Sequence, residues 1–434
     1  MTTLYDHRGQ PIDTRVLQEE QAGPSVGSRP ATRTPIADGI NPKRLARLLR
    51  QTDAGDALAF VTLADEMEER DLHYFSVLST RKLGVSSAPR VVEAATDKRR
   101  DKKIADDVRE NVVKAPGFAA LVFDLLDGLG KGFSVCEIDW KRDASRFIPR
   151  GYEFRTQRWF QFDKESQTKL RIRSSDDPNG IELAPYRFAV HMPRLRSGVP
   201  IRSGLARMAC VAWMMKRFTL ADWMTFLDVF GMPLRIGRFD TTASKEHRQM
   251  LLSAVRSLGP EAAAILPKGM DIEIKEASRA GGGDKVFAGM ADYLDQQVSK
   301  GVLGQTMTTD NGSSLSQAQV HNEVRLEIKA SDAEQLEATI QRDVINPFVA
   351  LNYGADVVPP KFRIPIAAPE DQEKKAKTFQ VLTGMGVRIQ ESWLRDQFGI
   401  PDPDEGAEVV GGKAQAPANP APNAPDPAVS APAS

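Results

Sequence analysis

Gly128-Leu129-Gly130-Lys131-Gly132 sets a lysine among three glycines, the composition of a loop that cradles phosphate. A Walker loop needs four residues between its glycines and a Ser or Thr after the lysine. Gly132 stands in that place, and Phe133 fills the position of the third Rossmann glycine, so no nucleotide role is expected. A second candidate is acidic: Asp65, Glu66, Glu68 and Glu69 lie within a stretch of helical periodicity. Such carboxylates could hold a cation. With Arg70, Arg81 and Lys82 close in sequence, the reading adopted is a solvated helix face. The histidines, His7, His73, His191, His247 and His321, are far apart, and none forms an HExxH or a close pair. His321 with Glu323 lacks the Pro-Cys-x-x-Cys partner of the zinc deaminases, and no Gly-x-Ser-x-Gly elbow occurs. Carboxylates are too common for counting to exclude a metal-dependent nuclease, but no catalytic, metal or cofactor residue is singled out.

The charge balance points the same way. Lys+Arg and Asp+Glu are 58 each in 434 residues, for a formal net charge of zero. Proteins that grip DNA by neutralising phosphate show a basic excess or a basic tract. Neither is read here, so tight phosphate binding is not expected, although a balanced chain can surround DNA without holding it. The two cysteines, Cys136 and Cys210, sit in apolar segments and read as buried free thiols. The first 30 residues lack the apolar core of a signal peptide. The segment nearest to a membrane span, Leu205 to Phe230, is broken by Arg207, Lys216, Arg217, Asp222 and Asp228. These features together read as a soluble cytoplasmic protein.

The elements follow from periodicity. Residues 1 to about 40 read as an extended arm. Asn41-Pro42 opens a helix carrying Leu45, Leu48 and Leu49, and a second helix carries Leu58, Val61, Leu63, Met67 and Leu72. Period-two alternation marks strands at Phe133 to Trp140, Lys169 to Arg173 and Tyr186 to Met192. Asp177-Pro178-Asn179-Gly180 lies between the last two, which predicts that they pair as a hairpin. Ser203 is expected to cap a helix of about 27 residues, roughly 40 Å, that Gly231 and Pro233 end. Its Trp213, Met214, Met215, Phe218, Leu220, Trp223, Met224, Phe226, Leu227 and Phe230 cover nearly the whole circumference. A helix apolar all round packs on several sides: in the core of a monomer, or partly against neighbouring subunits. Short strands Leu234 to Ile236 and Asp271 to Ile274 flank a helix near Lys245 to Leu258. A helix at Val286 to Leu303 leads to the polar run Gly304 to Gly312. Ser314 with Gln317 forms a capping-box pattern for a helix to about Leu351, with Ala333, Leu336, Ile340 and Val344 on its apolar face and a bend at Pro347. Two further helices are read near Gln372 to Leu382 and Ile389 to Phe398, before a Pro/Ala-rich tail from Pro401 that is disordered by composition.

The same residues, in order, resemble the portal proteins of Mu-like tailed phages over most of residues 1 to 400. The resemblance is carried by Asp6 to Ile12, Asp65 to Asp71 with Arg81-Lys82, Gly130 to Trp140, and Gln157 to Asp163. More specific are Asp222-Trp223 with Phe226-Leu227, Gly231 to Arg235, and Val302 to Thr308 with Val320-His321; Gly386 to Pro401 contributes a pattern found more widely among portals.

The resemblance implies an α+β portal fold assembled as a ring, usually of twelve subunits. Its parts would be an arm (1–40), an α/β wing (41–202), and stem helices (203–303) around a clip (about 231–283). A tunnel loop (304–313), a long helix with C-terminal wing or crown helices (314–400) and the tail (401–434) would follow. It implies that Gln305, Thr306, Met307, Thr308, Thr309, Asp310, Asn311 and Gly312 face DNA in the channel. Trp213, Met214, Phe218, Trp223, Phe226 and Phe230 would pack the stem and the oligomer. The implied role is a structural, non-enzymatic conduit at one capsid vertex, assembled in the host cytoplasm, for packaging and ejecting double-stranded DNA. Implied partners are copies of itself, the terminase large subunit, the major capsid or scaffold protein, and head–tail connectors, with no membrane and no cofactor. The alternatives are another head–tail connector ring, usually much shorter, or a DNA-processing phage enzyme, which needs a phosphate loop or clustered carboxylates.

Overall fold

The computed structural model describes residues 14–143, 146–230, 234–238, 242–257, 271–275, 283–306, 315–366 and 372–387. The chain divides into two units, residues 1–366 and residues 367–434. In the second, the described structure is one helix, Gln372–Gly384.

The first unit mixes helices with small antiparallel sheets. Helix α1 (Pro42–Asp53) starts with a proline in its first turn, and the Asn41 side chain accepts from Arg44 N at 2.9 Å. Its Leu45 and Leu48 turn into the core. Helix α2 (Leu58–Arg70) buries Val61, Leu63 and Met67, but Leu58 is exposed. Asp71 caps α3 (Leu72–Ser86) through Tyr74 N at 2.9 Å. Strand β1 (Val91–Glu93), helix α4 (Arg99–Val108) with a π-helical turn, and helices α5 (Phe118–Leu125) and α6 (Gly128–Lys131) follow.

Strand β2 (Ser134–Asp143) is the centre of a three-stranded sheet, between β3 (Arg146–Arg155) and a later strand. A second three-stranded sheet joins β4 (Phe160–Phe162), β5 (Leu170–Ile172) and β6 (Ile181–Glu182) in that order. Strand β7 (Phe188–His191) pairs with β2, with Ser134 opposite His191. The predicted hairpin is therefore corrected. The turn ending at Gly180 (φ 76°) does close one, but its second arm is β6. Tyr186, in the left-handed region at φ 65°, redirects the chain, and its carbonyl accepts from Trp140 Nε1 at 2.7 Å, which delivers β7 to the other sheet.

Helix α7 (Leu205–Phe230) has 26 residues, about 39 Å at 1.5 Å each. Ser203 does not spend its side chain as a cap. Its hydroxyl donates to Pro193 O and accepts from Leu195 N, tying down the preceding loop. Gly204 is required at the start of α7, because a Cβ there would lie 2.6 Å from Gly130 O. Strands β8 (Leu234–Arg238) and β9 (Asp271–Lys275) pair antiparallel, with α8 (Lys245–Ser257) between them in sequence. Helix α9 (Gly283–Leu303) packs along α7 and α3. Helix α10 (Leu315–Ile340) passes through a π turn at Gln341–Ile345 into α11 (Asn346–Tyr353), where Pro347 sits in the first turn. Pro347 thus starts the next helix, after a wide turn, rather than interrupting this one. Ala333, Leu336, Ile340 and Val344 are buried as expected. Strand β10 (Lys361–Arg363) closes the unit by pairing with β1, and α12 (Gln372–Gly384) is the helix of the second.

The N-terminal segment is docked from residue 14 to 40 rather than free. Leu17, Ala22, Ala37 and Ile40 are buried. Gln21 N and Ala22 N donate to Glu137 at 2.7 and 3.2 Å. Ile36 N and Ala37 N donate to Glu66 at 2.8 and 2.7 Å. Among the described residues no helix is long and apolar enough to cross a membrane.

Candidate oligomer surface and channel loop

The glycine-flanked lysine is committed inside the protein. Lys131 Nζ lies 2.6 Å from Asp127 and 2.7 Å from Asp65, while Lys82 Nζ lies 3.0 Å from Glu68 and 3.1 Å from Asp127. Gln157 Nε2 donates to Asp127 at 2.7 Å. Burial alone would raise the Asp127 carboxyl, but Lys131 and Lys82 pull it well below the carboxylate range. Burial would lower Lys131, and Asp127, Asp65 and Glu68 overcome it and raise it. Lys131 is therefore buried and paired with carboxylates of its own chain rather than presented to a phosphate. The acidic helix face is corrected by the same geometry. Glu66 is fully buried against the arm, Asp65 and Glu68 bind the two lysines, and Glu69, the most exposed of the four, pairs with Arg33.

Glu137 shows similar closure. Arg155 Nε and Arg187 Nε donate to its two oxygens at 2.8 and 2.9 Å, alongside the two arm amides. Both cysteines are buried, and burial pushes the thiol of Cys210 up to about 11 and that of Cys136 well above its usual value. Among the described residues no group of three His, Cys, Asp or Glu side chains could hold a metal ion.

The residues expected to pack the stem divide into two sets. Trp213 and Met214 are buried within the chain, with Arg217 stacked on the Trp213 ring at 5.1 Å. Trp223 stacks on Phe287 of α9 at 6.4 Å, and Phe226 meets the same ring at 5.6 Å. Lys216 binds Asp71 and Asp295, joining α7 to α3 and α9. Phe218, by contrast, is 44% exposed, and Met208, Val211, Met215, Leu220, Met224 and Leu227 are also left in solvent. The side chain of Phe230 lies outside the described residues.

Of the expected channel loop, Gln305 and Thr306 are described; Met307, Thr308, Thr309, Asp310, Asn311 and Gly312 lie outside, as do Ser314 and the side chain of Gln317. The approach to the loop is tightly built. Gly304, at φ 71°, ends α9 with its N–H on Lys300 O at 3.1 Å. A Cβ there would come within 2.9 Å of Ile328 and 3.2 Å of Val324 on α10. Arg81 of α3 then binds both flanking helices: Asp332 of α10 through two hydrogen bonds and Val302 O of α9 at 2.7 Å. His73 Nε2 meets Ser299 Oγ at 2.7 Å beside it. Sequence reading missed this clamp, because nothing in the spacing of Arg81, Val302 and Asp332 marks them as neighbours.

The residues of this frame fall within one family pattern. The family model described as portal protein of Mu bacteriophage matches residues 61–400. The chain belongs to that family. It is 32% identical to the Mu-like prophage FluMu protein gp29 of Haemophilus influenzae over 386 residues, 86% of this chain and 73% of that one. It is 31% identical to the portal protein of Escherichia phage Mu over 412 residues, 93% of this chain and 79% of that one. Among solved structures it resembles a chain in the neck of an empty GTA particle computed with C6 symmetry. There the identity is 12% and the TM-score 0.50, covering 84% of this chain and 97% of that one, a likeness of fold. For a Mu portal family member, the α+β fold expected from the sequence is the one observed.

One expectation needs correction. Two basic segments exist within the balanced total: Lys43, Arg44, Arg47 and Arg50 on α1, and Lys98 to Lys103 at the start of α4, all but Asp101 exposed. Net charge reports a sum, and a sum of zero is compatible with segregation of its parts.

Proposed function

We propose that this chain is one subunit of a homo-oligomeric ring, of about twelve copies as the family resemblance implies, at a single vertex of a phage capsid. The ring is a passive conduit for double-stranded DNA during packaging and ejection. It docks the terminase large subunit during filling and head–tail connector proteins afterwards, and it sits within the major capsid or scaffold shell. In this reading α7 and α9 are the stem, the segment between them the clip, residues 41–202 the wing, and Gln305 to Gly312 the loop that meets DNA. The role is structural, as in the family.

The observation that carries the ring is the incomplete cover of α7. The helix is apolar on all sides, yet α9 and the wing cover only part of it, leaving Phe218, Met224 and Leu227 in water. Isolated exposed apolar residues are ordinary, but Met208, Val211, Met215 and Phe218 at helical spacing on one side of α7, with Leu220, Met224 and Leu227 on the other, mark interaction surfaces. Micrographs of the purified full chain test the reading directly, and closed rings with a central opening are expected. Light scattering that shows only a stable monomer at micromolar concentration, with and without scaffold protein, would overturn it.

A further inference from the structure

Helix α1 presents a row of uncompensated cations. Lys43, Arg47 and Arg50 follow each other at i, i+4 and i+7, one face of the helix, over about 10 Å at 1.5 Å per residue. Arg44 lies beside them, and all four are exposed. None of the four is in an ion pair among the described residues. Arg44 donates to the Asp38 carbonyl at 2.7 Å and Arg50 to Ala46 O at 3.2 Å, which leaves their charge unneutralised.

The neighbouring acids are spoken for. Asp53, the one acid of α1, binds Arg202 and Arg207 at 2.8 and 2.7 Å. Asp38 binds Arg70 at 2.7 Å, and Asp56 binds Arg173 at 2.6 Å. Like charges at i, i+4 destabilise a helix, and cations in the first turn oppose its dipole. This helix carries both penalties, and the acid nearest Arg44, Asp38, is shared with Arg70. Its other exposed positions are Pro42, Ala46 and Gln51, while Leu45 and Leu48 are buried. A protein–protein contact is built around an apolar or aromatic centre, which this face lacks. A phosphate backbone needs only spaced cations on a polar surface.

We infer that the α1 row is a contact surface for the backbone of double-stranded DNA, separate from the channel loop. α1 packs on α2 and the turn at Pro200–Arg202, whereas the loop is flanked by α9 and α10. The contact is sequence-independent and weakens steeply with salt. The choice of DNA as the polyanion rests on the portal reading; the surface itself does not.

The test uses the full chain, with rings counted by micrograph before any binding is measured. The probe is relaxed, covalently closed circular duplex DNA, which cannot thread a closed ring, titrated between low and physiological salt. The triple variant Lys43→Gln/Arg47→Gln/Arg50→Gln is compared with Lys98→Gln/Arg99→Gln/Lys103→Gln, which removes equal charge from the start of α4, where Asp97 precedes and Asp101 interrupts the basic segment. The expected result is normal rings for both. The α1 variant should lose roughly tenfold in affinity at low salt, and its slope of log K against log salt should flatten by about 2.7 per bound subunit, at about 0.9 for each lost phosphate contact. The α4 variant should stay close to wild type, and Arg47→Lys/Arg50→Lys should bind as wild type. An α1 variant with unchanged affinity and slope overturns the inference, as does equal loss in both triple variants, which would reflect net charge alone. A folded α1 variant that no longer forms rings overturns it too, since the row would then be a subunit interface. Wild type without rings fails the portal reading instead, and the same titration on the folded chain still decides this one.

Discussion

Arg81 and Asp332 meet fork to fork, Nε on one carboxylate oxygen at 2.7 Å and a terminal nitrogen on the other at 2.9 Å. They stand 251 residues apart in sequence. Asp332 is 1% exposed, and the remaining guanidinium nitrogen reaches the last turn of α9 through Val302 O. One side chain of α3 therefore fixes the two helices that flank the expected channel loop. Arg81→Met leaves the Asp332 carboxylate buried and unpaired, for which the cost is about 3–5 kcal/mol. Denaturant unfolding should show that loss. The double variant Arg81→Met/Asp332→Leu should recover a large part of it, since the cost lies in the stranded charge. Equal stability of the single and double variants would show that the pair is not coupled in this way.

His191 sets a pH limit. Thr339 gives its hydroxyl proton to Gln335 O at 3.2 Å, so it accepts from His191 Nδ1 at 2.9 Å, and the neutral ring keeps an unprotonated Nε2 that is buried with no partner. Burial, with a smaller push from Arg342, lowers its pKa from 6.5 to about 3. A folded-state value below the unfolded one means that the unfolded chain binds the proton first as the pH falls. The contribution of the neutral ring is fully present above about 6.5 and is lost progressively between about 6.5 and 3. At pH 5 the loss is about 2 kcal/mol relative to pH 8, at 1.36 kcal/mol per unit. His191→Gln should flatten the stability profile in this window. A wild-type profile already flat between pH 7 and 5 would contradict it.

Two residues of α7 separate folding from assembly. Trp213 is buried within its own chain and Phe218 is not. Trp213→Ala should cost about 3–5 kcal/mol of monomer stability. Phe218→Glu should leave the melting temperature within a degree or two and lower the yield of rings. Sedimentation of the two variants, beside their melting curves, distinguishes the effects. Full ring yield from Phe218→Glu would remove this face from the subunit contact.

Periodicity made the helices legible, because a 3.6-residue repeat such as Ala333, Leu336, Ile340 and Val344 needs no knowledge of the partner surface. Strand β2 was legible from its period-two alternation, although the structure buries both of its faces from Ser134 to Ile138. The partner of β7 was not: alternation shows that a strand has two faces, and a turn shows that the chain reverses, but neither says which strand is met after Tyr186 turns the chain aside. The Asp65 to Glu69 cluster was misread for a related reason. Its cations, Lys82, Lys131 and Arg33, come from elsewhere in sequence, and only packing brings them within reach. Of the site, the all-round apolar character of α7 was visible, while which of its apolar residues are covered depended on where α9, α2 and α6 lie.

The loop itself supports the sharpest expectation. Its upstream end is fixed by Gly304 against Ile328 and by Arg81 on Val302, and α10 is held independently through Asp332. Neither anchor draws on residues 306–311, so the helices should keep their places when the loop is shortened. Deleting 306–311 should then leave ring yield near wild type and change DNA content or ejection in assembled particles. Thr308→Ala should act in the same direction and more weakly, since one hydroxyl is a small part of a polar, glycine-ended segment. Gly304→Val is the control for the anchor: a branched side chain there meets α10 at 2.9 Å in a left-handed conformation and should lower stability rather than alter DNA handling alone. Particles with normal DNA content and infectivity after the deletion would show that the segment has no role in the channel, and that it is only a surface connection between two helices.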